Sequence, residues 1–125
     1  MSHILPDQDL DLSFLYDIAD GSNEFIIESI DMFLFHTPEM IQMIEKGIAD
    51  KDWTVAAQAA HKLKPNLGFF GMPISQATIQ EVEIMAKGGA PDPALLISKF
   101  NEVKAIVSAN LVSLQKIKAD LEIGG

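Results

Sequence analysis

Between Asn23 and Ala49 the chain reads NEFIIESIDMFLFHTPEMIQMIEKGIA, and the spacing of its apolar residues decides the fold class. Ile27, Ile30, Leu34, Thr37, Ile41, Ile44 and Ile48 follow one another at alternating steps of three and four, which sets them on one face of an α-helix. Ser22, just ahead, is a favourable N-cap, and Glu24 in the first turn suits the positive end of the helix dipole. Pro38 removes one backbone donor and crowds the carbonyl four residues back, so a bend near Leu34 is expected. The stripe keeps its phase across the proline, which indicates one bent helix rather than two.

The same periodicity extends in both directions. Upstream, Asp9 to Ala19 reads as a short first helix ended by Asp20-Gly21. Downstream, Asp52 can cap a helix that carries Trp53, Ala56, Ala60, Leu63, Leu67 and Phe70 at helical spacing and stops at Gly71-Met72-Pro73. Pro73 suits the first position of a fourth helix, whose inner face is Ile79, Val82, Met85 and Ala86 and whose end is Gly88-Gly89. After the loop Gly88–Pro91, a last long helix carries Leu96, Phe100, Val103, Val107, Leu111, Leu114 and Leu121 along one side. No strand-like alternation competes. Four amphipathic helices joined by short turns predict an all-α fold, an antiparallel up-down-up-down four-helix bundle with a short extra N-terminal helix.

The 125 residues fit a single domain over 1–125, and an apolar content of 48% is enough for a core. With no cysteine, disulfides, thiolate metal sites and a cysteine nucleophile are excluded together. The net charge of −9 speaks against nucleic acid as a partner, because phosphate neutralisation needs a basic face. No apolar run is long enough to span a membrane, and Met1–Asp7 shows no export signal, so a cytoplasmic location is expected. The charge is uneven: residues 1–60 carry −10 and residues 61–125 carry +1, with the change falling at His61, Lys62 and Lys64. Such a local positive spot on an acidic domain can receive an anion.

Few residues remain to carry chemistry. His3 lies in the N-terminal segment, and His36 precedes Pro38 as a surface residue. Histidines and carboxylates lack the repeated ligand spacing of a metal-binding bundle, so no metal site is expected. His61 points about 130° away from the apolar stripe of its helix, toward solvent. Lys64 lies one turn on along the same side, Gly68 continues that line and Ala57 precedes it. An exposed neutral imidazole beside an ammonium suits reversible capture of a phosphoryl group, since imidazole is nucleophilic near neutral pH and the lysine offsets the added negative charge. By spacing alone, an ordinary exposed His–Lys pair explains the pattern better.

The run AHKLKPNLGFFG, Ala60 to Gly71, resembles the signature of histidine phosphotransfer (HPt) domains. Ala60, His61, Leu63 and Lys64 match its Ala-His-x-Leu-Lys core, and Gly68 and Gly71 fall at its two later glycines. Asp17–Gly21, the long helix with its internal proline, and Val82-Glu83 extend the likeness over about residues 10–88. Pro65 departs from it, standing where the family commonly has Gly; a proline there cannot donate to the His61 carbonyl, and its ring crowds that same carbonyl.

The resemblance implies a phosphorelay intermediate without independent turnover, not an enzyme. His61 would be the phosphoacceptor and reactive group, and Lys64 the phosphate-stabilising cation. Ala57, Lys62, Gly68 and Phe69 would form the docking face, with Met32 and Phe35 as further apolar candidates. The implied partners are response-regulator receiver domains and a hybrid histidine kinase, engaged by a monomer. No cofactor is implied, since the Mg²⁺ this chemistry needs belongs to the receiver. A helical adaptor that binds receivers or a partner helix without phosphotransfer is the alternative.

Overall fold

The computed structural model describes residues 4–5 and 8–124; His3 lies outside them. Among the described residues five helices form: α1 (Ser13–Ala19), α2 (Asn23–Ala49), α3 (Trp53–Phe69), α4 (Pro73–Lys87) and α5 (Pro93–Gly124). α3 packs between α2 and α4, and α5 closes the ring by packing on α4 and α2. The architecture is the expected all-α bundle, with α1 laid against α2 at one end.

α2 spans the predicted range without interruption at Pro38. The Ser22 hydroxyl accepts the Phe25 amide at 3.1 Å, and Asp52 caps α3 by accepting the Val55 amide at 3.2 Å. The inward face of α2 is Ile26, Ile30, Phe33, Thr37, Ile41, Ile44 and Gly47, so it is rotated toward Ile26 and Phe33 from the expected stripe. Ile27, Leu34 and Ile48 are only partly buried, because α2 meets two neighbouring helices and its buried sector is correspondingly broad. At Gly47 the backbones of α2 and α3 approach closely: a Cβ there would lie 2.8 Å from the Ala56 backbone nitrogen.

The N-terminal segment departs from expectation. Residues 9–12 are not helical, and α1 begins only at Ser13. Leu10–Asp11 instead pair antiparallel with Ile4–Leu5 in a two-residue ladder, a strand pairing that periodicity over so short a span does not reveal. Asp11 turns the chain into α1 by accepting the Ser13 amide at 2.9 Å. Asp9 sits at φ +53 and is buried. Its carboxylate accepts the amides of Ile74 (3.0 Å) and Ser75 (2.7 Å), so it caps α4 from 65 residues away. The N-cap position of α4 is Met72, which has no side-chain acceptor of its own, and Asp9 supplies what it lacks. Asn110 of α5 donates to the Asp9 carbonyl at 3.3 Å. Gly71, at φ +66, passes so close to this segment that a Cβ would collide with the Asp11 carbonyl oxygen.

Candidate functional site

α3 lies between two helices and keeps one strip open to solvent, and His61 stands on that strip with its side chain 65% exposed. The expected outward direction of the ring is what the structure shows. The ring is held by a residue that spacing did not single out. Glu83 of α4 accepts from His61 Nδ1 at 2.8 Å through Oε2. It also receives Lys64 Nζ at 3.1 Å on Oε1 and Lys87 Nζ at 2.9 Å on Oε2. Its side chain is only 4% exposed.

A buried carboxylate is tolerated only when paired and hydrogen-bonded, and this one has three donors. Burial works to raise the Glu83 carboxyl, but hydrogen bonds from Lys87, Lys64 and His61 outweigh it and lower it from 4.5 to about 2. Glu83 is therefore ionised at neutral pH and can only accept, so Nδ1 must be the protonated ring nitrogen. The remaining nitrogen, Nε2, then carries the free lone pair. The helical wheel held a signal for Glu83: it lies about 40° from Ile79, inside the apolar sector of α4. A charged residue in such a sector needs partners, and they come from the neighbouring helix.

The other predicted residues separate into two groups. Lys62 is exposed on the α3 strip. Ala57, expected on the open track, is buried; with Ala86 it lines the open groove between α3 and α4 that also contains His61 and Lys87. Gly68 is not bare: the Gln76 side chain lies against it and donates to the Lys64 carbonyl at 3.3 Å. Gln76 thereby supplies polar support to the helix beside Pro65, over which α3 continues without a break. Phe69 is partly buried and meets Phe14 of α1 edge-on, with ring centroids 5.5 Å apart. It lines a second groove with Met32, Phe33, His36 and Asn66, between α2 and α3. Met32 is exposed, and Phe35 is 71% exposed, so neither is a core residue.

Among the described residues, no group of three or more histidines and carboxylates is arranged to hold a metal ion. Among the described residues, no helix is long and apolar enough to cross a membrane.

No curated protein is similar enough to match the chain. A solved structure, the HPT domain of the Hpt sensor hybrid histidine kinase from Shewanella, superposes with a TM-score of 0.75 at 19% identity. The alignment covers 90% of this chain and 96% of that one, and at this identity it establishes the bundle fold. The family model for the Hpt domain matches residues 28–112, which include α3, the His61 site and most of α5. The chain belongs to the Hpt domain family.

Proposed function

We propose that this domain carries a phosphoryl group on His61 Nε2, taking it from the aspartyl phosphate of one receiver domain and passing it to the aspartate of another. The observation that carries the reading is the pairing of His61 Nδ1 with the ionised, buried Glu83, which leaves an exposed Nε2 lone pair with Lys64 one turn away. In the forward step the Nε2 lone pair forms the N–P bond while the acyl P–O bond breaks, and the electron pair returns to the receiver carboxylate. Positive charge develops on the imidazole ring as the bond forms. The Nδ1–H···Glu83 contact opposes that charge, which serves both capture and onward transfer, because a protonated ring is also the better leaving group. Lys64, one turn along α3 and bonded to the same Glu83 carboxylate, would meet the incoming phosphoryl oxygens as a mobile point charge.

Mg²⁺ belongs to the receiver in this scheme, and the domain by itself turns nothing over. The docking face is the open strip of α3, with Lys62 and Phe69, continued by Met32 and Phe35 on α2. Gly68 and the Gln76 side chain that lies against it continue this strip beyond the phosphoacceptor. We place the protein in the cytoplasm as a monomer, between a hybrid kinase and response regulators. The test is incubation with a phosphorylated receiver domain. Acid-labile, alkali-stable label is expected on this chain and absent from His61→Gln, whose fold should persist because the ring is exposed. A chain that binds the receiver but never acquires label is an adaptor, and the relay reading fails.

A further inference from the structure

Lys87 has the appearance of an ordinary surface pair: it lies four residues after Glu83 on α4 and its side chain is 63% exposed. Pairs of this kind contribute little when both members are solvated. Here the partner is a buried carboxylate, and Lys87 bonds the same oxygen, Oε2, that accepts from His61 Nδ1. Lys87 also lines the α3–α4 groove that contains His61. Lys64, by contrast, bonds the other oxygen, Oε1. The two lysines therefore hold the two oxygens of one carboxylate, and only one of those oxygens orients the phosphoacceptor.

This division matters once phosphotransfer begins. If Lys64 turns its ammonium to a phosphoryl group on Nε2, its contact with Glu83 Oε1 weakens. Without Lys87, Glu83 would then be a buried carboxylate held by the histidine ring alone, an arrangement that burial penalises strongly. Lys87 prevents this from the opposite side. It approaches from α4 itself, so its hold on Glu83 does not depend on what Lys64 does.

We propose that Lys87 is a positioning residue for phosphotransfer, holding Glu83 Oε2 ionised and aimed at His61 Nδ1 while Lys64 moves to the phosphoryl group. The proposal rests on the relay reading above. It assigns different roles to two lysines that share one carboxylate.

The test is ¹⁵N NMR of the His61 ring in a Lys64→Ala background, which imitates the departure of Lys64, with phosphoryl acceptance from a receiver measured in parallel on proteins that keep Lys64. Lys64→Ala with Lys87 in place is expected to show a single tautomer with the proton on Nδ1. Adding Lys87→Met should give a mixture of tautomers or a partly doubly protonated ring, and Lys87→Met alone should slow acceptance on the order of tenfold, the loss of about one charged hydrogen bond. Lys87→Arg should restore both. Circular dichroism of each variant separates this effect from simple loss of the helix C-terminus. A ring spectrum that Lys87→Met leaves unchanged in the Lys64→Ala background, or wild-type acceptance by Lys87→Met, overturns the proposal. If wild type accepts no phosphoryl group at all, the relay reading fails, while the ring spectrum still decides whether Lys87 positions Glu83.

Discussion

Acid should weaken this fold through Glu83 by an amount that can be stated in advance. The carboxyl is held at about 2 in the folded protein against an ordinary value of 4.5. A group lowered in this way stabilises the fold above its unfolded value, and that contribution disappears as pH falls toward the folded value. Each pH unit of the gap corresponds to about 1.4 kcal/mol, so Glu83 contributes roughly 3 kcal/mol near neutral pH. The contribution should be lost between about pH 4.5 and pH 2. Glu83→Gln keeps the shape and removes the titration. Urea denaturation of both proteins at intervals from pH 6 to pH 2 gives the comparison, because the other carboxyl groups titrate in each and cancel in the difference. Wild type should exceed the variant at pH 6, and the difference should shrink by roughly 3 kcal/mol across that window. A difference that stays constant with pH would falsify the picture of Glu83 as an ionised, donor-saturated hub. The same variant has a second expected phenotype. A neutral amide can donate to Nδ1 as well as accept from it, so phosphoryl acceptance should slow without vanishing.

Three further outcomes follow from the geometry. Lys64→Ala should still take label but slow transfer or shorten the phosphorylated lifetime by a factor that corresponds to about 1–3 kcal/mol; unchanged rates in both directions remove Lys64 from the mechanism. Gly68→Gln must push the Gln76 side chain aside, which offsets the gain of about 1 kcal/mol from removing a helical glycine, so its melting temperature should stay close to wild type. Its labelling by a phosphorylated receiver should nevertheless fall sharply, while phosphoramidate labels it normally; equal receiver labelling would place docking elsewhere. Asp9→Ala uncaps α4 in a buried setting and should lower stability by about 2 kcal/mol in chemical denaturation, and a loss below about 0.5 kcal/mol would show that the long-range cap is unimportant.

The bundle was legible because each of its four long helices buries a continuous stripe, and such stripes are written in local spacing. Ser22, Asp52 and Pro73 marked helix starts for equally local reasons. Asp9 was misread because its partners, Ile74, Ser75 and Asn110, are distant in sequence, and nothing nearby distinguishes a remote cap from a first-turn acid. At the site, the exposure of His61 and its neighbourhood with Lys64 follow from helix geometry. The contact with Glu83 does not, since it depends on how α3 and α4 are turned toward each other. The buried placement of Ala57 and the covering of Gly68 by Gln76 depend on the same packing.

The hold of Asp9 on α4 and α5 bears on the order in which the chain assembles. Contacts between successive helices close short loops, whereas Asp9 can find its partners only after α4 and α5 are side by side, at sequence separations of 65 to 101 residues. Docking of the N-terminal segment is thus expected late on the folding route, with low φ-values, and its release early on the way back. The amides of Ile74 and Ser75 become its natural reporters in hydrogen exchange. They should open at lower free energy than the centre of α4, because they rest on a single carboxylate that must return across most of the chain.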